Sequence, residues 1–350
     1  MTSLSEIVDV VIGVDTHVST HSAAAVDART GGVLGEVTVD ATPDGYEQLV
    51  SFADEHSALR AWAIEGTGGH GAGLARLLSD RCEVVVELDR PERTKRRNGA
   101  KSDPLDAIRA AREALSRTKL GTPRSAGDRQ ALSVLLAARR SAVQAATDAQ
   151  RQLFSLIIAA PETLRARFRG KKIPAMLAIA GRLRLNAAWD LETATTATVL
   201  RDLARRSVEL NGEAARHEKA LLSVVRSWRP DLLDQRGVGP IVAATVLCAW
   251  SHPGRIRSEA AFAMLAGVAP IPANSGQTAT RYRLNRYGDR QLNRAIHTVA
   301  LSRLHYDPAT KAYAARRTTE GKTPREIKRC LKRYIARDLY RLLEHTPSET

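Results

Sequence analysis

The first third of the chain alternates between short apolar runs and stretches with helical spacing. Three apolar runs separated by polar turns predict strands joined as hairpins, at residues 8–14, 22–27 and 33–39. Alternating helix and strand patterns then follow at about 44–56, 59–65, 72–79 and 82–88. Three hairpin-connected strands followed by β-α-β crossovers are the order of the ribonuclease-H-like fold, so we expect an α/β domain of this type at the N-terminus.

The pattern changes at about residue 127, where long helical spacing begins and continues to about residue 229. Seam positions recur alternately four and three residues apart along two stretches, which is heptad spacing. The two series are Leu132, Leu136, Arg139, Val143, Ala146, Gln150, Leu153 and Ile157, and Leu200, Leu203, Ser207, Leu210, Ala214, His217, Leu221 and Val224. This spacing predicts an antiparallel helical hairpin or a dimerising coiled coil, with a plain helical bundle as the alternative.

The last segment, from residue 231, combines a glycine turn with a series of arginines. Gly237 and Gly239 precede an apolar helix, where free backbone N–H groups can bind a DNA phosphate as in helix-hairpin-helix modules. A purely steric role for such a turn is the alternative. Five arginines within fourteen residues favour phosphate contacts over a merely solvated helix face: Arg281, Arg283, Arg286, Arg290 and Arg294.

Length and charge support a multidomain protein with a polyanionic partner. The 350 residues carry a formal net charge of +15 and have a pI near 10.2, which indicates nucleic acid first. No apolar run approaches the roughly 18 residues of a membrane span, and no signal segment begins the chain, so we expect a cytoplasmic protein without membrane contact. The predicted domains are 1–125, α/β; 126–230, helical coiled coil; and 231–350, mainly helical.

Four acidic residues stand where a catalytic site could form. Asp15 and Glu65 each end an apolar strand, and Asp103 and Asp106 are three apart at the start of a helix, so they share one of its faces. Gathered carboxylates repel one another, and all-oxygen ligation suits Mg²⁺ or Mn²⁺. The alternatives are solvated strand ends, and an N-cap Asp103 followed by an acid that complements the helix dipole.

Six motifs in order extend this interpretation to the whole chain. They are Gly13-Val-Asp15, Ile64-Glu-Gly-Thr-Gly68, Lys101-Ser-Asp-Pro-Leu-Asp-Ala107, Gly237-Val-Gly-Pro240, Gly267-Val-Ala-Pro270, and Asn274-Ser-Gly276 ahead of an arginine-rich helix. In these motifs the chain resembles the DEDD-type insertion-sequence transposases, the bridge-RNA-guided serine recombinases that are related to pilin-gene DNA invertases.

The resemblance implies a role for each motif. Asp15, Glu65, Asp103 and Asp106 would bind Mg²⁺ or Mn²⁺ in a RuvC-like domain, and Ser275 would be the nucleophile of the C-terminal transposase domain, forming a phosphoserine link to DNA. The implied partners are donor and target DNA, a guide RNA, and further copies of the chain in a homodimer or homotetramer. The chain departs from many relatives at two places: Thr16-His17 stands where a Lys is common, and Asp289 where Asn is frequent.

Three other functions compete with this one. A metal-dependent junction-resolvase-like nuclease would use water as the nucleophile, leaving Ser275 incidental. A sugar or acetate kinase would share the start at Gly13-Val-Asp15, but the chain lacks a second phosphate loop. A non-catalytic DNA-binding protein would not need four acids. The roles of His17, His21 and His70, which fall near the acids without metal-ligand spacing, stay open.

Overall fold

The structure is a computed structural model that describes residues 3–88, 103–272, 282–285 and 287–345, with 282–284 described by their backbone alone. The chain divides into two compact units, Met1–Ala126 and Gly127–Thr350. Each unit has its own hydrophobic core. The three predicted domains, 1–125, 126–230 and 231–350, stay a prediction.

The first unit is a five-stranded mixed sheet with helices on both faces. Its strands are β1 (Val10–Thr16), β2 (Thr20–Asp27), β3 (Val33–Asp40), β4 (Arg60–Glu65) and β5 (Val85–Leu88), and its helices are α1 (Pro43–Asp54), α2 (Ala72–Asp80) and α3 (Asp103–Ser116). The strand order is β3-β2-β1-β4-β5. The hairpins β1–β2 and β2–β3 are antiparallel, and β4 is parallel to both β1 and β5. The α/β architecture predicted from the sequence is therefore confirmed.

Strand boundaries differ from the prediction for a local reason. The last strand of the sheet was expected from residue 82, but Cys82 has a φ of +57° and the strand begins at Val85. A positive φ is incompatible with extended backbone, so the chain turns at Cys82 and first bonds to β4 through the Val84 carbonyl, which accepts from the Trp62 nitrogen at 2.8 Å.

The second unit is almost entirely helical. Its elements are α4 (Asp128–Ala159), α5 (Glu162–Arg165), α6 (Ile173–Gly181), α7 (Leu191–Trp228), α8 (Pro240–Trp250), α9 (Glu259–Leu265), β6 (Pro270–Pro272), β7 (Tyr282–Leu284), α10 (Arg290–Tyr306), α11 (Pro308–Thr319) and α12 (Pro324–Glu344). Ends of α4 and α7 share a hydrophobic core with α8, α10 and α12. In the described part of the chain, no helix is long and apolar enough to cross a membrane.

The two longest helices, α4 and α7, form the predicted antiparallel hairpin within one chain. Gln150 Nε2 donates a hydrogen bond to Ser207 Oγ at 3.0 Å, and Arg139 Nη2 lies 2.9 Å from Glu218 Oε2. Some predicted seam positions are displaced by one residue. Val143 is 37% exposed while its neighbour Ala142 is buried, although Ala146, Leu153 and Ile157 are buried as the spacing predicts.

Candidate active site

Two neighbouring parallel strands deliver Asp15 and Glu65 to the same edge of the sheet. Val14 pairs with Ile64, so the next residue on each strand is one of the two acids. Side chains alternate between the faces of a strand, and Ala63, two residues before Glu65, packs on the α3 side. Asp15 and Glu65 therefore share the face that α3 covers.

The close approach of α3 brings the other two acids to this edge. A Cβ atom on Gly13 would lie 2.0 Å from the Ala107 carbonyl oxygen and 2.6 Å from the Ala111 nitrogen. The helix therefore packs directly on the backbone of β1, which only a glycine permits at this point. The acids Asp103 and Asp106 lie in the first turn of α3, beside the end of β1.

A histidine joins the strand end to the helix start. His17 Nε2 lies 3.1 Å from Asp15 Oδ2 and 3.4 Å from Asp103 Oδ1. Among the described residues these three offer ligand atoms that all lie within 4.8 Å of one another. Asp106 accepts a hydrogen bond from Arg109 Nη1 at 2.7 Å. A histidine-linked pair of carboxylates thus forms the centre of the candidate site.

The surroundings of Asp15 oppose the ionisation of its carboxyl group. Burial raises the pKa of Asp15 above its ordinary value, His17 opposes the rise, and the nearby carboxylates of Asp106 and Asp103 add to it. A divalent cation would favour the ionised form. Carboxylate oxygens with one imidazole nitrogen are a donor set that fits such an ion.

The four predicted acids are not equally close to that centre. Asp15 and Asp103 belong to the compact group with His17, whereas Glu65 and Asp106 lie outside the 4.8 Å group. The backbone carbonyl of Glu65 accepts a hydrogen bond from the Thr16 hydroxyl at 3.0 Å, which ties the ends of β1 and β4 together. The part played by His17 could not be read from spacing. Its only sequence signal was its place two residues after Asp15, at the turn before β2.

In the second unit, the predicted glycine turn precedes α8. Gly237 has a φ of +81°, and a Cβ there would lie 3.1 Å from Ser302 Cβ, so both conformation and packing require glycine. Gly239 is the N-cap of α8, and no described atom lies within 4 Å of the position that a Cβ would take there. The turn and helix are as predicted, while their contact with a phosphate stays a prediction.

The predicted arginine series is described only in part. Arg290 and Arg294 are exposed and one turn apart at the start of α10. Arg283 lies on β7 opposite Ile271, with its side chain outside the described part. Arg281, Arg286 and Ser275 also lie outside the described residues. Asp289 caps α10, since its Oδ1 accepts from the Gln291 and Leu292 nitrogens at 2.8 and 3.0 Å.

Two models of known protein families match this chain. A DEDD transposase model of the IS110 type matches residues 12–158 and implies a ribonuclease-H-like fold for the first unit. This class of protein cleaves and rearranges DNA. A second model, the transposase IS116/IS110/IS902 family, matches residues 231–315. Both models describe transposases, and they match separate regions of the chain.

Two proteins of insertion elements are also similar to parts of this chain. The uncharacterized 42 kDa protein of insertion element IS900 from Mycobacterium paratuberculosis is 32% identical over 129 residues, which cover 36% of this chain and 32% of that protein. The uncharacterized 43.6 kDa protein of insertion element IS110 from Streptomyces coelicolor is 34% identical over 94 residues, 27% of this chain and 23% of that protein. The chain thus spans about a third and about a quarter of these relatives in the matches.

Proposed function

We propose that the protein cuts and rejoins DNA strands as the transposase of an insertion sequence, with Asp15, Glu65, Asp103 and Asp106 around Mg²⁺ or Mn²⁺. The observation that carries the proposal is the approach of Asp15 and Asp103 to one His17 nitrogen, at 3.1 and 3.4 Å. It joins the end of β1 to the start of α3, two elements that a nuclease-type acidic site requires to meet.

The acids have distinct tasks in this proposal. Asp15 is held by β1 and is largely buried, whereas the Asp103 side chain is about half exposed and can turn toward a substrate. A divalent ion between them would neutralise their mutual repulsion and stabilise negative charge that develops on a phosphate. The exposed side of the site leaves room for a DNA phosphate to approach.

Ser275 is the proposed nucleophile, and residues 231–315, which match the second transposase model, include it. Its hydroxyl oxygen would form a bond to phosphorus while one bond from phosphorus to a sugar oxygen breaks, and the hydroxyl proton would pass to the departing sugar oxygen. The phosphoserine retains one phosphodiester-type bond. A sugar hydroxyl can therefore attack it in turn and rejoin DNA without ATP.

Side chains of α10 and α12 anchor the turn that precedes β6, the strand before the segment that carries Ser275. Asn293 Nδ2 donates to the carbonyls of Ala266 and Gly267 at 2.7 and 3.2 Å, and its Oδ1 accepts from Lys332 Nζ at 2.6 Å. The exposed arginines of α10 begin directly after β7. Guanidinium groups there could hold the phosphates on either side of a scissile bond.

The nucleic-acid partners and the assembly are parts of the same proposal. A net charge of +15 suits both a DNA substrate and a guide RNA. Sequencing of the RNA that co-purifies with the protein would test the guide, and light scattering would test a homodimer or homotetramer. A preparation that is active on DNA without any bound RNA would contradict the guide.

The Ser275→Ala variant tests the nucleophile. Loss of the hydroxyl should abolish the covalent protein–DNA adduct and strand exchange, while DNA binding persists because the arginines remain. Labelled substrate DNA is analysed on a denaturing gel before and after protease treatment. Ser141→Ala, an exposed serine on α4, is the matched control and should keep the adduct.

The same gel separates the proposal from a water-attacking nuclease. Cleavage by Ser275→Ala without an adduct would support the nuclease and contradict the phosphoserine step. The metal site is tested with Asp106→Asn, which should lose strand cleavage by at least about a hundredfold if a metal-held charge is removed. Normal cleavage by this well-folded variant in EDTA-treated buffer with Mg²⁺ restored would contradict the metal assignment.

A further inference from the structure

We propose that His17 binds the divalent ion directly through Nε2, beside Asp15 and Asp103, and shifts the preference of the site from Mg²⁺ toward Mn²⁺. The inference rests on the proposed function, because it concerns the same metal. The inference adds a nitrogen ligand to the predicted metal ligands, which were all carboxylates.

The distances match those between neighbouring ligands of one ion. Adjacent ligands of an octahedral ion with bonds of about 2.1 Å lie about 3.0 Å apart. The separations of His17 Nε2 from the Asp15 and Asp103 oxygens, 3.1 and 3.4 Å, are close to this spacing. The three atoms come from the end of β1, the following turn and the start of α3, and all of them lie within 4.8 Å of one another.

The direction of the imidazole also favours a ligand role. A single Nε2–H can donate to one carboxylate with good geometry, whereas a lone pair facing two carboxylates is repelled unless a cation stands between them. The backbone of His17 is fixed, because its N–H donates to the Thr20 carbonyl at 3.0 Å and closes the turn between β1 and β2.

The other nearby histidines do not offer the same arrangement. His21 pairs with Thr16 in the register of β1 and β2, while Asp15 pairs with Ser22. His21 therefore points to the opposite face of the sheet, where its ring stacks on Tyr46 at 5.5 Å. His70 is exposed in the turn before α2. It provides a matched control for His17.

Ligand chemistry links His17 to the identity of the metal. Mg²⁺ prefers an all-oxygen set and keeps its waters, whereas Mn²⁺ accepts an imidazole nitrogen more readily. Removal of His17 should therefore weaken Mn²⁺ binding at least about tenfold and change Mg²⁺ binding much less. The His17 side chain is 46% exposed, so its loss leaves no buried cavity.

The experiment measures Mn²⁺ bound to the full chain, with and without competing Mg²⁺, and records pulsed electron paramagnetic resonance of the bound ion. The wild type and His70→Ala should show modulation from a directly bound ¹⁴N nucleus, and His17→Ala should lose it. Asp15→Asn should lose tight binding altogether. Circular dichroism of each variant verifies the fold.

The outcomes separate this inference from the proposed function. Tight Mn²⁺ binding that depends on Asp15, with no ¹⁴N modulation or with modulation unchanged in His17→Ala, would overturn the histidine ligand and leave the metal site standing. Mn²⁺ and Mg²⁺ affinities that are identical in the wild type and Asp15→Asn would overturn both. Equal loss of Mg²⁺ and Mn²⁺ affinity in His17→Ala would overturn the selectivity.

Discussion

The two faces of the sheet in the first unit are packed in opposite ways. The face toward α1 and α2 is filled by large side chains that are fully buried, among them Ile12, Trp62 and Leu74. The face toward α3 also buries the larger side chains Val11, Val26, Val86 and Leu88, but its contact with α3 includes a glycine and many alanines: Gly13, Ala24, Ala61 and Ala63 on the sheet, and Ala107, Ala110, Ala111 and Ala114 on the helix. Helices lie on both faces of the sheet, but the side chains that make the contacts differ in size.

Large side chains contribute stability, because buried apolar area contributes roughly 25 cal/mol per Å². Small side chains bury less area and instead allow backbones to approach closely. On the α3 face this closeness places Asp103 beside Asp15, with His17 between them. Stability and site geometry therefore depend on opposite faces of one sheet, so substitutions should separate them.

The largest loss of stability is expected on the face with large side chains. Leu74 is fully buried against β1 and β4, and Leu74→Ala removes three carbon atoms and leaves a cavity. The free energy of unfolding should fall by about 2–5 kcal/mol. Hydrogen exchange of β1 and β4 peptides measures this, and the Mn²⁺ affinity of the folded variant should stay within about threefold of the wild type. A larger loss of affinity would contradict the separation of the two faces.

On the opposite face, a smaller chemical change should lower the metal affinity of the site more than Leu74→Ala does. In Gly13→Ala the new methyl group meets backbone atoms of Ala107 and Ala111, which cannot rotate away, so α3 must shift outward. Overpacking of this kind costs about 1–3 kcal/mol. The shift moves Asp103 and Asp106, so Mn²⁺ affinity should fall at least about tenfold by titration.

Gly68→Ala is the matched control for this change. No described atom lies within 4 Å of the position that its Cβ would occupy, so stability and Mn²⁺ affinity should both stay near the wild-type values. Gly13→Ala with unchanged metal affinity would show that the acids do not depend on the close packing of α3.

Much of the fold of the first unit could be predicted from the sequence, and the close packing of α3 could not. Apolar periodicity predicted the strands and helices, and the strand order followed from hairpins and crossovers, so the positions of Asp15 and Glu65 at one edge were expected. The closeness of α3 to Gly13 was not, because it depends on a contact between distant segments. His17 was missed for the same reason: its partner Asp103 is far away in sequence.

In the helical second unit, prediction from the sequence was limited in a different way. Heptad spacing predicted a helical hairpin or a dimerising coiled coil and could not choose between them, and the buried position at the middle of α4 is Ala142 rather than the predicted Val143. Ser275, by contrast, was chosen from its motif alone and stays a prediction.

The smallest expected effect concerns the ionisation of Asp15. Its pKa is raised in the folded chain, by burial first and then by Asp106 and Asp103 against the opposing His17. Ionisation therefore costs more in the folded chain than in the unfolded one. At a pH below the ordinary carboxyl pKa, Asp15 is protonated in both states and the free energy of unfolding is unaffected. As pH rises from the ordinary pKa through the raised one, the free energy of unfolding falls. In EDTA, Asp15→Asn should thus gain stability relative to the wild type over that range of pH.

Asp27→Asn supplies a control of opposite sign within the same unit. Asp27 Oδ1 accepts hydrogen bonds from the Thr30 nitrogen and hydroxyl at 2.7 and 2.8 Å, which lower its pKa. Its stabilisation is present above the ordinary carboxyl pKa and is lost as pH falls through the lowered value. Thermal unfolding from pH 3 to 8 should therefore show Asp15→Asn gaining and Asp27→Asn losing relative to the wild type as pH rises. Saturating Mn²⁺ should reverse the difference in stability between Asp15→Asn and the wild type, because a cation favours the ionised form of Asp15. It should leave the difference for Asp27→Asn unchanged. A difference for Asp15→Asn that does not vary with pH would mean that folding does not raise the pKa of Asp15.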